Sequence, residues 1–342
     1  MKSKLLLLIA FGFWLPTALQ AEDRVYPKTG ATASGKITKL LPGGVVISVR
    51  GKDQNYAIDD VLKVSFDGEP KGLERGRDQV IQGQYEQALE ELKKLSPAGI
   101  DDPRIVEDIV FYRSFCDGKL GLAGSGDKQA AINGLIALAK RNRNTHHLYN
   151  LSEMLGELHL AIGKPADAAI YFNLMTSAEG AETKAKGLYR LGEVELAQGK
   201  ANEAKLRFEQ LSATASNSPE MIRIKNLAEI GLAICLNEQG ESQQALDKLN
   251  AMVQKYDSTD QGLFARINNA KGACYQKLDK PQQALLSYLQ TDLLFFTEPE
   301  AHAESLYHLK NLWPTNGNPS RAADAQARLV SRYASSTWAN KP

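Results

Sequence analysis

The chain has 342 residues, 43% of them apolar and 24% charged, and its 41 Lys and Arg against 40 Asp and Glu leave a formal charge of +1. That composition belongs to packed rather than disordered chains, and the length exceeds one ordinary domain of about 100–150 residues. The balanced charge excludes the electrostatic case for nucleic acid or an anionic membrane surface, so no nucleic-acid partner is expected.

Residues 1–21 read as a signal peptide: Lys2 and Lys4 form a basic start, residues 5–15 are apolar, Pro16 ends the run, and Ala18-Leu19-Gln20-Ala21 supplies small residues for cleavage. A membrane span needs about 20 apolar residues. No later segment supplies them, so the mature chain, beginning near Glu22, is expected to lack a transmembrane segment and to work in the periplasm or cell envelope. The first cysteine is Cys116, too far from the cleavage point to carry a lipid. Cys116, Cys235 and Cys274 are an odd number, which rules out dense disulfide stapling and points to buried free thiols.

Residues 22–70 carry a β pattern. Short apolar runs at 36–40, 45–49, 56–58 and 61–66 are separated by Pro42-Gly43-Gly44, Gly51-Lys52-Asp53 and Asp59-Asp60. Four or five short strands closing into a small SH3-like or Sm-like β-barrel are predicted. Seven basic and seven acidic residues in this stretch argue against RNA binding and for a module that docks on or caps the rest of the chain.

Residues 71–342 change to helical spacing and repeat. A Gly stands five positions before an Ala in four copies, at Gly83 and Ala88, Gly163 and Ala168, Gly199 and Ala204, and Gly240 and Ala245; Asp279 replaces Gly before Ala284, and weaker copies centre on Ala130 and Ala323. These alanines recur every 36 to 42 residues, a repeat period. The Gly ends one helix in a left-handed turn, and Pro165 and Pro281 open the next, so each unit is helix, turn, helix. Twelve positions before the Ala stands a second small residue, at Gly76, Gly118, Gly156, Gly192, Ala233 and Gly272, which lets the helices approach. Four positions after it a large residue returns, at Leu92, Phe172, Phe208, Leu249 and Tyr288. The Ala130 copy has Gly134 there instead. The stretch from Tyr333 to Trp338 reads as a C-terminal cap.

Leu155-Gly156 with Ala168 and Phe172, and Leu191-Gly192 with Ala204 and Phe208, resemble the motif of the tetratricopeptide-repeat (TPR) family, and the resemblance covers about four fifths of the chain. It implies a mainly α protein, an α-solenoid of about seven helix hairpins preceded by the small β module. The order of signal peptide, β module and array is similar to exported bacterial TPR proteins. The longer period and the missing aromatic near the motif's start depart from the family and leave the repeat count open.

The sequence assembles no catalytic group. Residues 121–129 lack the Gly-Lys pair and the hydroxyl of a phosphate loop and read as an inter-helix turn. His302 and His308 are six apart, not at metal-ligand spacing, and His146 and His147, being adjacent, are expected to point in different directions. No metal, no cofactor and no enzyme activity are expected. The TPR resemblance implies instead a concave groove lined by the first helices, whose ligand-facing positions fall on Asn150, Glu153, Glu157, Lys186, Tyr189, Arg190, Glu193, Arg266 and Asn269. Lys186, Arg190, Arg266 and Asn269 there suit a carboxylate or an acidic peptide. The expected role is a scaffold for a protein or peptide partner, with a self-associating envelope assembly protein or a regulatory subunit of a cell-wall enzyme as alternatives.

Overall fold

The computed structural model describes residues 22–215, 218–256 and 258–341; the expected signal peptide lies outside them. Five antiparallel strands come first: β1 (Asp23–Pro27), β2 (Ala33–Leu41), β3 (Gly44–Val49), β4 (Lys52–Ala57) and β5 (Val61–Ser65), in the order β4-β3-β2-β1-β5. Edge strands β4 and β5 do not pair, so the sheet stays open and the expected closed barrel is not formed. The reason lies in what covers the inner face. Val25, Ile37, Val45, Ile47 and Val64 share one buried apolar cluster with Leu73, Leu89, Leu92, Ile105 and Ile109 of the helices that follow, so the helices help to bury what a barrel would bury by curling on itself. The boundaries of β4 also differ from expectation: the strand starts at Lys52, inside the predicted breaker, because an exposed edge strand is polar and gives no hydrophobic alternation.

Fourteen helices follow among the described residues, in seven antiparallel hairpins. The first three pairs are α1 (Lys71–Ile81) with α2 (Tyr85–Lys93), α3 (Pro103–Ala123) with α4 (Lys128–Arg141), and α5 (Leu148–Ala161) with α6 (Pro165–Thr176). Then come α7 (Ala181–Ala197) with α8 (Ala201–Ser212), α9 (Pro219–Glu238) with α10 (Ser242–Lys255), α11 (Gln261–Lys277) with α12 (Pro281–Leu294), and α13 (Pro299–Thr315) with α14 (Pro319–Tyr333).

The two small-residue positions do what their spacing predicts, and the large residue completes the device. A Cβ on Gly156 would lie 2.3 Å from the Phe172 ring, one on Gly192 2.5 Å from Phe208, one on Gly272 2.6 Å from Tyr288, and one on Gly76 2.7 Å from Leu92. The ring therefore fills the space where the glycine has no side chain, and Ala88, Ala168, Ala204, Ala245 and Ala284 are fully buried beside it. Gly163 and Gly199 take the left-handed turn at φ +73°, and Asp279 adopts φ +54° in the copy that lacks Gly.

The two weak copies are displaced by one residue. Ala131, not Ala130, is the buried alanine of α4, and Leu135 four positions on is fully buried, so no large residue is missing at Gly134. In α14, Ala322 stands five positions after Gly317 and packs against the terminal core, while Ala323 is exposed.

First helices of successive hairpins pack on one another, whereas second helices pack mainly on first helices, so the first helices form the inside of the curve. The curve closes. Helix α13 meets α3, the Lys128 ammonium donates to the Ser335 carbonyl at 3.1 Å, and a Cβ on Gly124 would lie 1.8 Å from the Arg332 carbonyl oxygen. The α3–α4 turn lies within residues 121–129 but is shorter than predicted, residues 124–127, because α3 runs on to Ala123 and α4 starts at Lys128; it is also the seat for the segment around Arg332 and Ser335. Trp338 packs on Tyr307 and His308 at 5.5 and 5.7 Å.

Candidate functional site

The inner surface carries a chain of alternating charges. On α7, Arg190 donates to Glu157 of α5 and, at 2.7 Å, to Glu193, with Glu153 at 3.9 Å. Arg266 of α11 reaches Glu193 at 2.7 Å and the Tyr189 hydroxyl at 3.3 Å, and that hydroxyl donates to Glu193 at 2.9 Å. Lys119 of α3 donates to Glu157 at 3.1 Å, and Lys186 of α7 pairs with Glu220 of α9 at 3.0 Å. Five consecutive first helices are thus tied side to side, because one turn of each presents its polar face to the axis of the curve.

Burial alone would raise the Glu157 carboxyl, but the Lys119 and Arg190 charges pull it down to about 2. Burial likewise opposes ionisation of Glu193, and Arg266 and Arg190 outweigh it. Further along, Glu300 and Glu304 of α13 are raised by burial. The inner face therefore changes from compensated charge at its middle to reluctant acids near its end.

Seven of the nine sequence-predicted groove residues come together here. Glu153, Glu157, Lys186, Tyr189, Arg190 and Arg266 line one cavity of about 250 Å³, and Glu193 bonds to three of its lining groups. Asn150 lies apart, in a cleft between the sheet and α5 and α7. Asn269 is buried, donating to the Ala301 carbonyl at 2.8 Å and to Glu304 at 2.9 Å. The cations expected to hold a carboxylate each hold one of the chain's own already. Lys119, Glu220, Arg223, Ile224, Leu227 and Glu298 also line the cavity and were missed. Those on α3 and α9 belong to copies with a displaced register or an Ala in place of the Gly, so the motif did not index them.

His146 and His147 do not point apart. Both Nε2 atoms approach the same oxygen of buried Asp108, at 3.4 and 2.8 Å, because α3 lays Asp108 against the loop that precedes α5. Cys116, Cys235 and Cys274 are buried and free, and burial pushes their thiols up to about 12, 11 and 11.

No family model matches the chain, and no curated protein sequence matches it. Solved structures do. A tetratricopeptide repeat protein from Parabacteroides merdae superposes with a TM-score of 0.53 at 17% identity, covering 77% of this chain and 92% of that one. The helical array has the tetratricopeptide-repeat fold. A Rap protein complexed with Competence and Sporulation Factor is similar over 78% of this chain and 76% of its own, with TM-score 0.52 and 12% identity. NprR in complex with its cognate peptide NprX matches over 76% and 77%, with TM-score 0.50 and 14% identity. In TPR terms the charged cavity lies on the inside of repeats two to six. No helix among the described residues is long and apolar enough to cross a membrane.

Proposed function

We propose that this chain is a non-catalytic exported scaffold of the periplasm or cell envelope that binds a protein or peptide segment on the inside of its TPR curve. The observation that carries the reading is the charged cavity built by five successive first helices. Two similar structures, the Rap and NprR proteins, are peptide or factor complexes by their own descriptions, which supports a peptide or protein partner for this chain. The basic, apolar and small-residue order of residues 1–21 supports export.

Because every central cation is paired, a ligand carboxylate enters by exchange, displacing a carboxylate of the chain and leaving it to a ligand cation or to water. Exchange favours a segment carrying both signs over a purely acidic one. Lys186 and Arg223 are the cations to reverse, since their side chains are 34% and 45% exposed while Arg190 is locked among Glu153, Glu157 and Glu193. The test is partner capture by residues 22–342, repeated with Lys186→Glu/Arg223→Glu. Recovery is expected to fall at least tenfold while the circular-dichroism spectrum keeps the parent's helix content; equal recovery removes the inner surface from the account.

A further inference from the structure

Asp108, His146 and His147 form a buried group whose donor atoms all lie within 4.8 Å of one another. The two oxygens of Asp108 divide their work. Oδ2 accepts from Arg77 at 2.8 Å, and Arg77 is matched a second time by Glu69, at 2.9 and 3.0 Å. Oδ1 faces only the imidazoles. With one Arg against two carboxylates, the group holds one negative charge more than its guanidinium neutralises.

A proton accounts for only half of this geometry. His147 Nε2 can donate to Oδ1 at 2.8 Å, but His146 Nε2, buried as well, has no hydrogen-bond partner and lies 3.4 Å from the same oxygen. If His146 Nε2 is bare, its lone pair faces a carboxylate lone pair in a low dielectric. If it is protonated, its hydrogen is aimed at no acceptor with good geometry. A cation between the three atoms satisfies all three lone pairs at once and supplies the missing positive charge.

We propose that Asp108, His146 and His147 bind one divalent transition-metal ion of the zinc class. Donors about 2.0–2.2 Å from a tetrahedral ion stand about 3.4 Å apart, so His146 already lies at a fitting distance from Oδ1 and His147 moves outward from 2.8 Å, and two imidazoles with one carboxylate are a common zinc donor set that leaves coordination open. The surroundings hold the donors in place. Glu107 accepts from Asn142 at 2.7 Å and from the Thr145 hydroxyl, which pins the loop carrying both histidines, and Phe111 stacks on His147 at 3.6 Å between centroids. Both histidines also line the cleft of about 220 Å³ that holds Asn150, Thr183 and Lys186, so the remaining coordination positions are reached from solvent through it. The three donors do not line the charged cavity, although the cleft that leads to them shares Lys186 with it.

The test uses residues 22–342, stripped with EDTA and titrated with Zn²⁺ against a chromophoric chelator, then loaded with Co²⁺ for its d–d absorption. One equivalent is expected to bind, with a cobalt spectrum of nitrogen and oxygen donors and no thiolate charge-transfer band. His146→Gln removes a ring nitrogen that has no partner, so its thermal melt is expected to match that of the metal-free parent. Its zinc affinity is expected to fall by more than the 10- to 100-fold that loss of an outer-shell group brings. Absence of one-equivalent binding by the parent chain, or an affinity in His146→Gln and His147→Gln unchanged from the parent's, overturns the proposal.

Discussion

The contact within hairpin α5/α6 and the contacts that fasten the sheet and the hairpins' inner ends to one another use different chemistry. In the hairpin, a fully buried Phe172 ring occupies the space that Gly156 leaves, and Ala168, Met175, Leu191 and Val194 close around it. At the sheet, single polar side chains add fastenings at the rim of the apolar face that covers α1 to α3. Asp23 accepts from the Ile37 and Asp67 amides and from Arg104 of α3, and Asp59 accepts from the Glu182 and Thr183 amides of α7. Shape can be repeated every forty residues and tolerates exchange of one large apolar group for another. A seam made of single charges occurs once and depends on each partner.

The largest effect is therefore expected in a polar seam. Arg77 is fully buried between Glu69 of the linker and Asp108 of α3, and its two partners hold its guanidinium protonated against the pull of burial. Arg77→Met leaves two carboxylates facing each other without their shared cation, a loss of about 3–5 kcal/mol. Urea unfolding of the two chains measures it. A loss below about 1 kcal/mol would show that shape holds this seam as well.

Acid should separate the regions next. Burial, aided by the Lys341 charge, pulls the His308 imidazole from 6.5 down to about 4, where it stacks on Tyr288 at 4.4 Å and lies beside Trp338. The neutral ring is the folded form, so below about pH 6.5 the unfolded chain takes up a proton that the fold refuses. Stability then falls as pH drops from 6.5 toward 4, by at most about 3 kcal/mol at 1.36 kcal/mol per pH unit. His146, brought down to about 3 mainly by burial, acts in the same direction. His308→Phe keeps the stack and cannot protonate. Its urea midpoint is expected to change less between pH 6.5 and 4 than the parent's, and an identical slope would place the acid sensitivity elsewhere.

Within the shape-held region, Gly156→Ala sets a methyl 2.3 Å from a ring that has no free space to enter, and about 1–3 kcal/mol is expected to be lost. The double variant Gly156→Ala/Phe172→Leu should recover part of that loss, because the smaller side chain yields the space. Strict additivity in the cycle would mean that the glycine and the ring are not one device.

This contrast also explains what the sequence made legible. The hairpins were readable because Gly, Ala and a ring return at fixed offsets, and five of seven alanines were placed correctly. Ala130 and Ala323 were misplaced by one because α4 and α14 each offer two adjacent alanines, and composition alone does not choose between them. The ring closure at Gly124 and the meeting of Asp108 with His146 and His147 link residues of separate helices through single contacts. No period encodes them. The motif indexed cavity-lining residues on α5, α7 and α11 together with Asn150 and Asn269, which lie elsewhere, and it did not index those on α3 and α9. What no local pattern could reveal was the pairing of Arg190 with Glu157, since each position taken alone reads as a free inward charge.

The smallest effect belongs to Asp59, and it tests whether the sheet does more than cover α1 to α3. Helix α7 begins at Ala181 after Gly180, which offers no side chain to cap its first amides. Asp59 supplies the acceptor from the far side of the cleft, receiving the Glu182 amide at 2.9 Å and the Thr183 amide at 3.4 Å, together with the Thr183 hydroxyl, while Lys28 pairs with Glu182 at 2.8 Å. An N-terminal cap contributes about 0.5–2 kcal/mol, and water reaches this half-buried position, so Asp59→Ala is expected to lose about 1 kcal/mol. The loss should be local. Hydrogen exchange at the first turn of α7 should quicken while the amides of α5 and α9 keep their protection, since the Gly–ring contacts that hold those hairpins do not involve the sheet. Uniform quickening across all three helices would mean that the sheet fastens the whole inner curve, and that shape and seam are not separable in this molecule.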